Sequence, residues 1–322
     1  MPPPDPHPLL TTLRTQGYVI LPSLLTPAEL AALRAAAANL TATARTGAWP
    51  HVRTVGKQFP PWDASLVPSQ AGIWGVQHLL HPDLPVSPEE RALFVRLYFH
   101  ERLLGVAREL LSIPPSPPPP DGNGGEGDEG GGMTMELLNM LVRPDGDQPF
   151  ALRWHRDDIP ATATPQEEME RLKSPGEAYV HTQWNLPLFD DDSLLVVPGS
   201  HARARTDAER SASPYEEGMP GQVRVVLKAG DVVFYDNNIL HRGVYEVGRE
   251  RMTLHGSVGH VQGSRERARN VLQHGVGEWV DRCDFQGLGE GRERRTAEGM
   301  RRRLVQLGRE NEGRDVGFSL EG

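Results

Sequence analysis

From Met133 to His260 the chain consists of short β-rich runs, each closed by glycine, proline or aspartate. The candidate strands are Met135–Val142, Tyr179–Leu188, Leu194–Val197, Val223–Leu227, Val232–Tyr235 and Arg251–Val258. Many short strands with this punctuation predict a jelly-roll or sandwich core. Helical signals flank it. Gly17–Leu21 reads as a short strand ended by Pro22, and Thr26-Pro27-Ala28-Glu29 is a capping box opening an alanine-rich helix to about Leu40. A second capped helix starts at Ser87-Pro88-Glu89-Glu90 and runs through leucine-rich sequence to Pro114-Pro115. The expected class is mainly β with flanking helices (α+β). Residues 114–132, a proline run followed by a Gly/Glu/Asp tract, cannot bury a core and are expected to be a disordered insertion. Residues 261–322 are expected to form a C-terminal helical extension, with helical stretches around Ser264–Leu272 and Arg292–Leu307. Neither side of the insertion looks complete as a fold, so residues 1–322 are read as a single domain.

Charge and composition narrow the partners. Net charge is −9 over 322 residues, and no basic block exceeds Arg301-Arg302-Arg303, so nucleic-acid binding has little electrostatic support. No apolar run approaches the ~18 residues that span a bilayer. The start, Met-Pro-Pro-Pro-Asp-Pro, lacks the basic-then-apolar order of a secretory signal, and the end, Ser-Leu-Glu-Gly, is not a peroxisomal address. Cys283 is the single cysteine, which rules out an internal disulfide. The expectation is a cytoplasmic protein; oligomeric state is open.

The chemistry centres on His155-Arg156-Asp157. If this segment is extended, His155 and Asp157 project from one face, and Trp154 and Arg156 from the other. Two such ligands joined by a distant histidine make the 2-His-1-carboxylate triad of non-haem Fe(II) oxygenases. The triplet alone is weak evidence: with 12 histidines and 43 acidic residues in 322, chance supplies about one or two. A second one, His81-Pro82-Asp83, lies in a proline-rich turn and is read as a turn. The third ligand is sought near a strand end downstream, where His241 follows Val232–Tyr235. Beyond it, alternation puts Arg251, Thr253, His255 and Ser257 on one face, an arrangement expected where a strand lines a cavity. A guanidinium there could grip the far carboxylate of a dicarboxylate co-substrate bidentately. Arg251 is preferred to Arg242 and to Arg249, which lies in a Gly-Arg-Glu turn.

Taken together, Gly17-Tyr18-Val19 before a capped helix, Trp154-His155-x-Asp157, Val197-Pro198-Gly199-Ser200-His201, Gly230-Asp231-x-x-Phe234, His241 and Arg251 resemble the phytanoyl-CoA dioxygenase family over roughly residues 12 to 260. The resemblance implies a double-stranded β-helix (jelly-roll), Fe(II) held by His155, Asp157 and His241, and 2-oxoglutarate bound by Arg251. It also implies reaction with O₂ that oxidises a small-molecule substrate and releases succinate and CO₂. Thr182 or Gln183 is expected to hydrogen-bond the co-substrate. The pattern departs from the family at Asp190-Asp191-Asp192-Ser193, where an acidic residue followed by Asn-Gly is common. It departs again at Gly243, where serine is common, and in a His241-to-Arg251 gap about one residue short. No lysine/arginine cluster announces a coenzyme A site, so the expected substrate is a small hydrophobic metabolite or acyl compound. A cupin-like metal enzyme without 2-oxoglutarate and an idle binding relative are the rival readings. His201 is expected to be structural, His255 a hydrogen-bonded core histidine, and Trp154, Trp184 and Trp74 core aromatics, with Trp74 also a candidate for a pocket wall.

Overall fold

The computed structural model describes residues 7–59, 72–114, 130–173, 180–263, 267, 271 and 275–312 of the chain. Its helices are α1 (Pro8–Gln16), α2 (Pro27–Arg45), α3 (Pro88–Tyr98), α4 (Glu101–Leu110), α5 (Pro165–Lys173), α6 (Asp207–Ser211) and α7 (Arg292–Glu310). Its strands are β1 (Tyr18–Leu21), β2 (Val52–Thr54), β3 (Ile73–Val76), β4 (Met133–Val142), β5 (Phe150–Ala151), β6 (His181–Pro187), β7 (Asp191–Val197), β8 (Val223–Leu227), β9 (Val232–Tyr235), β10 (Leu240–Tyr245) and β11 (Met252–His260). They form a seven-stranded sheet, β1-β9-β6-β11-β4-β3-β2, and a four-stranded sheet, β5-β10-β7-β8. Every ladder is antiparallel. This is the expected jelly-roll with flanking helices.

Side-chain alternation decides what each face does. On β6, Trp184 and Leu186 enter the main hydrophobic core, as do Met252, Leu254 and Val258 of β11. There they join Leu33, Ala36 and Leu40 of α2, Phe94 of α3 and Leu103 of α4. Each such side chain taken fully out of water contributes roughly 1.5–3 kcal/mol. The intervening residues His181, Gln183 and Asn185 of β6, and His255 and Ser257 of β11, line a cavity between the two sheets. The core thus pins the major sheet to the helices and leaves the cavity face of β6 and β11 polar.

Local signals explain the helix boundaries. Thr26 accepts from the Glu29 N–H while the Glu29 carboxylate accepts from the Thr26 N–H, and Ser87 and Glu90 repeat the box. The helix expected from Ser87 to Pro114 is in fact two. His100 leaves helical geometry (ψ 128°) and its Nδ1 accepts from the Arg102 N–H at 3.2 Å, so it caps a new helix. In the C-terminal extension α7 buries Ala297, Met300 and Leu304 in the main core. Most of the helical stretch expected around Ser264–Leu272, and residues 115–129 of the expected insertion, lie outside the described residues. Among the described residues no helix is long and apolar enough to cross a membrane.

Candidate active site

His155 and His241 face each other as a closely bonded antiparallel pair: each N–H donates to the other's carbonyl at 3.0 Å. Their rings lie 4.2 Å apart. Two residues on, the Asp157 N–H donates to the Asn237 carbonyl (2.9 Å), which ties the acidic residue to the turn between β9 and β10. The backbone therefore sets all three side chains. Trp154 packs instead with Leu195, Val197 and Leu240, and fully buried Arg156 donates to the Arg203 carbonyl, as the expected alternation requires.

The donor atoms of His155, Asp157 and His241 all lie within 4.8 Å of one another. His155 Nε2 is 3.4 Å and His241 Nε2 3.8 Å from Asp157 Oδ1. Each Nδ1 lies 2.8 Å from a backbone carbonyl, of Arg153 and Ile239 respectively, which can only accept. A proton on each Nδ1 toward its carbonyl leaves both Nε2 lone pairs converging beside the carboxylate, the tautomer that metal ligation needs; Gln58 Nε2 also lies 3.2 Å from His155 Nδ1. Asp157 Oδ2 accepts from Gln183 Nε2 at 3.0 Å. Burial would raise the Asp157 pKa, but the His241 and His155 imidazoles and the Gln183 bond outweigh it and hold the carboxyl well below its usual range. Burial, reinforced by His155, pushes His241 down to about 4, so its imidazole is neutral at ordinary pH.

These three residues open on a cavity of about 170 Å³ that Arg251 also lines. Arg251 is 6% exposed, its Cζ stands 4.1 Å over the Tyr245 ring, and its Nε donates to Asp191 Oδ2 at 3.2 Å. Its Nη1 is buried and makes no hydrogen bond. A buried guanidinium nitrogen without an acceptor, in the cavity of a metal triad, suits a carboxylate ligand. Arg249 and Arg242 are engaged elsewhere: Arg249 pairs with Asp192, and Arg242 donates to the Glu216 carbonyl.

Gln183 lines the cavity, whereas Thr182, on the other face of β6, does not. Strand alternation turns Thr182 away from the position expected of it. His255 lines the cavity with Nδ1 2.8 Å from Asn185 Oδ1, its partner across the ladder. Trp74 forms part of the wall while donating to the Thr54 carbonyl at 2.9 Å. His201 accepts the structural role expected of it, with Nε2 3.1 Å from the Arg14 carbonyl. His81 Nδ1 accepts from the Asp83 N–H at 2.9 Å, so the second His-x-Asp triplet is indeed a turn. Arg53, Gln58, Asn185 and Tyr245 also line the cavity and had no sequence signal of their own. Only the two-residue step from Gln183 to Asn185 could have pointed to one of them.

The family model for phytanoyl-CoA dioxygenase (PhyH) matches residues 13–244. The chain belongs to the phytanoyl-CoA dioxygenase family. Membership makes it an Fe(II)- and 2-oxoglutarate-dependent oxygenase. Among solved structures, AviO1 from Streptomyces viridochromogenes Tue57 shares the fold with a TM-score of 0.52 at 17% identity, over 80% of this chain and 95% of that one. EctD from S. alaskensis, solved with 2-oxoglutarate and 5-hydroxyectoine, shares it with a TM-score of 0.51 at 20% identity, over 79% and 76%. No curated protein sequence matches significantly.

Proposed function

We propose that His155, Asp157 and His241 hold the iron(II), that Arg251 binds the distal carboxylate of 2-oxoglutarate, and that the enzyme hydroxylates an unactivated C–H bond of a small metabolite. The observation that carries this reading is the convergence, in one cavity, of two Nε2 lone pairs and a carboxylate with a buried, unpartnered guanidinium nitrogen. The bound iron supplies dioxygen activation coupled to decarboxylation of 2-oxoglutarate, which yields succinate and CO₂. The chain supplies position. The Arg153 and Ile239 carbonyls fix both rings, Gln183 orients Asp157, and Tyr245 and Asp191 orient Arg251. Leu137, Leu141, Leu152 and Leu194 give the cavity dry patches that exclude water from the reacting centre. The same site could deliver desaturation or ring formation with a different substrate pose.

Iron-dependent succinate formation tests the assignment. His155→Ala or Asp157→Ala is expected to lower it by at least about a hundredfold, and retained activity would sink the ligand set. Arg251→Ala is expected to raise the 2-oxoglutarate requirement steeply. A cupin-type reaction using the same metal ligands would be indifferent to that change.

A further inference from the structure

On β10 the cavity face is carried by His241, Gly243 and Tyr245, two residues apart, while Arg242 and Val244 turn away towards Trp154. The face therefore runs from a proposed metal ligand at one end to Tyr245 at the other. Serine is common in the family at position 243, and glycine there has a visible consequence. A Cβ on Gly243 would fall 3.0 Å from Tyr245 Cε2, closer than ordinary van der Waals contact, and 3.7 Å from the Tyr245 hydroxyl. The bare glycine lets the Tyr245 ring lie back along the strand over position 243. A hydroxyl missing from position 243 is thus replaced, on the same face, by one from position 245.

The ring is fixed from two sides. Phe150, its partner across the β5–β10 ladder, meets it edge-on at 5.1 Å, and the Arg251 guanidinium stands 4.1 Å over its centre. The hydroxyl at its tip is buried and makes no hydrogen bond, and neither does Arg251 Nη1. Arginine offers only donors, so it cannot take the phenol proton. Asp191, the carboxylate paired with Arg251, accepts from Arg251, Thr253 and the Ser193 N–H, not from Tyr245. Burial holds the Tyr245 phenol above its ordinary value, against the pull of the Arg251 charge, so at neutral pH it keeps its proton to donate. Burying such a donor unbonded is unfavourable, and an acceptor entering the cavity beside Arg251 removes that penalty.

We infer that the Tyr245 hydroxyl donates to the distal carboxylate of 2-oxoglutarate beside Arg251, which makes Tyr245 a second residue holding that carboxylate. The inference rests on the proposed assignment of Arg251 to 2-oxoglutarate. A carboxylate has two acceptor oxygens, enough for both unpartnered donors. Because the ring also carries the guanidinium on its face, one side chain both positions Arg251 and shares its ligand.

The test uses the full chain loaded with Mn(II) and compares two probes by isothermal titration calorimetry. One is 2-oxoglutarate; the other is 2-oxopentanoate, which carries a methyl where 2-oxoglutarate has its distal carboxylate. Wild type is expected to bind 2-oxoglutarate about a hundredfold or more tighter. Tyr245→Phe keeps the ring and removes only the hydroxyl. It should weaken 2-oxoglutarate about tenfold and change 2-oxopentanoate by less than about twofold, a selective loss that a merely structural role would not produce. In the unliganded protein the hydroxyl bonds nothing, so the melting temperature of Tyr245→Phe should equal or exceed that of wild type. Equal weakening of both probes, unchanged binding of both, or a melting temperature lowered by about 3 °C or more each overturns the inference. Loss of the preference in Arg251→Gln but not in Tyr245→Phe leaves the proposed function standing and overturns the inference alone. A wild type that binds the two probes equally, or binds neither, counts against the assignment of Arg251 itself and overturns the inference with it.

Discussion

Asp191 belongs to the run Asp190-Asp191-Asp192 that departs from the common family pattern, and its surroundings show what the acid does. Its Oδ2 accepts from Thr253 Oγ1 at 2.8 Å and from Arg251 Nε at 3.2 Å, and its Oδ1 accepts from the Ser193 N–H at 2.8 Å. Burial would raise its pKa, but the Arg251 guanidinium together with the Ser193 and Thr253 hydrogen bonds outweighs that and holds it at about 2. Asp191→Ala leaves a buried cation behind and is expected to destabilise the protein by roughly 3–5 kcal/mol. If Arg251 binds 2-oxoglutarate, the co-substrate should restore part of that loss and raise the melting temperature more in the variant than in wild type. Equal shifts in a thermal denaturation series would separate Arg251 from the co-substrate. The run Asp190-Asp191-Asp192 was legible as a departure, yet spacing alone could not say which acid turns inward. The fold distributes them: Asp190 pairs with Lys228 at 2.8 Å, Asp192 with Arg249, and only Asp191 with Arg251.

Among the elements, β11 carries the most, since it pairs with β4 on one side and β6 on the other and divides the core from the cavity. Its Gly256 sits where a Cβ would come within 2.6 Å of Trp184 Cε2, a ring that is itself fully buried. Gly256→Ala is therefore expected to cost about 1–3 kcal/mol by overpacking. Gly105 in α4 has nothing within 4 Å of the same position, so Gly105→Ala should stabilise by about 0.5–1 kcal/mol. Chemical denaturation of both variants checks the contrast, and shifts of the same sign would contradict this packing. Strands such as β4, β9 and β11 were legible because their apolar residues feed a helix-covered core. By contrast β2, β3 and β10 were not. They are short and hold Arg53, Gly75, His241, Arg242 and Gly243, residues chosen by the cavity rather than by strand propensity. The missed capping residue His100 has the same kind of cause, because a histidine Nδ1 capping a helix leaves no mark in the hydrophobic pattern.

At the scale of the whole molecule, a second histidine group fastens the C-terminal extension to the jelly-roll. His51 and His78 stack at 4.7 Å, Trp279 donates to His78, and His81 lies 5.2 Å from the Trp279 ring. Burial, reinforced by His51, lowers His81 to about 4. A histidine depressed in the folded state favours folding fully above its unfolded value of about 6.5 and loses that contribution as pH falls towards 4. Stability should therefore fall between pH 6.5 and 4 by roughly 1–2 kcal/mol from this group, allowing for solvent screening. His81→Gln should flatten the decline in urea unfolding measured at pH 7.5 and 4.5. Parallel losses in both proteins would place the acid sensitivity elsewhere. Sequence marked His81 only as part of a turn, because its ring partners come from residues 49, 51 and 279, far from it in the chain.

The most direct single measurement is anaerobic titration of the apoprotein with Fe(II) and 2-oxoglutarate, following the metal-to-ligand charge-transfer absorption in the visible. Wild type should develop the band, His155→Ala should lose it, and Arg251→Ala should need about tenfold or more 2-oxoglutarate to reach it. Iron binding without a band in wild type, or an unchanged band in His155→Ala, would contradict the site proposed for iron and 2-oxoglutarate.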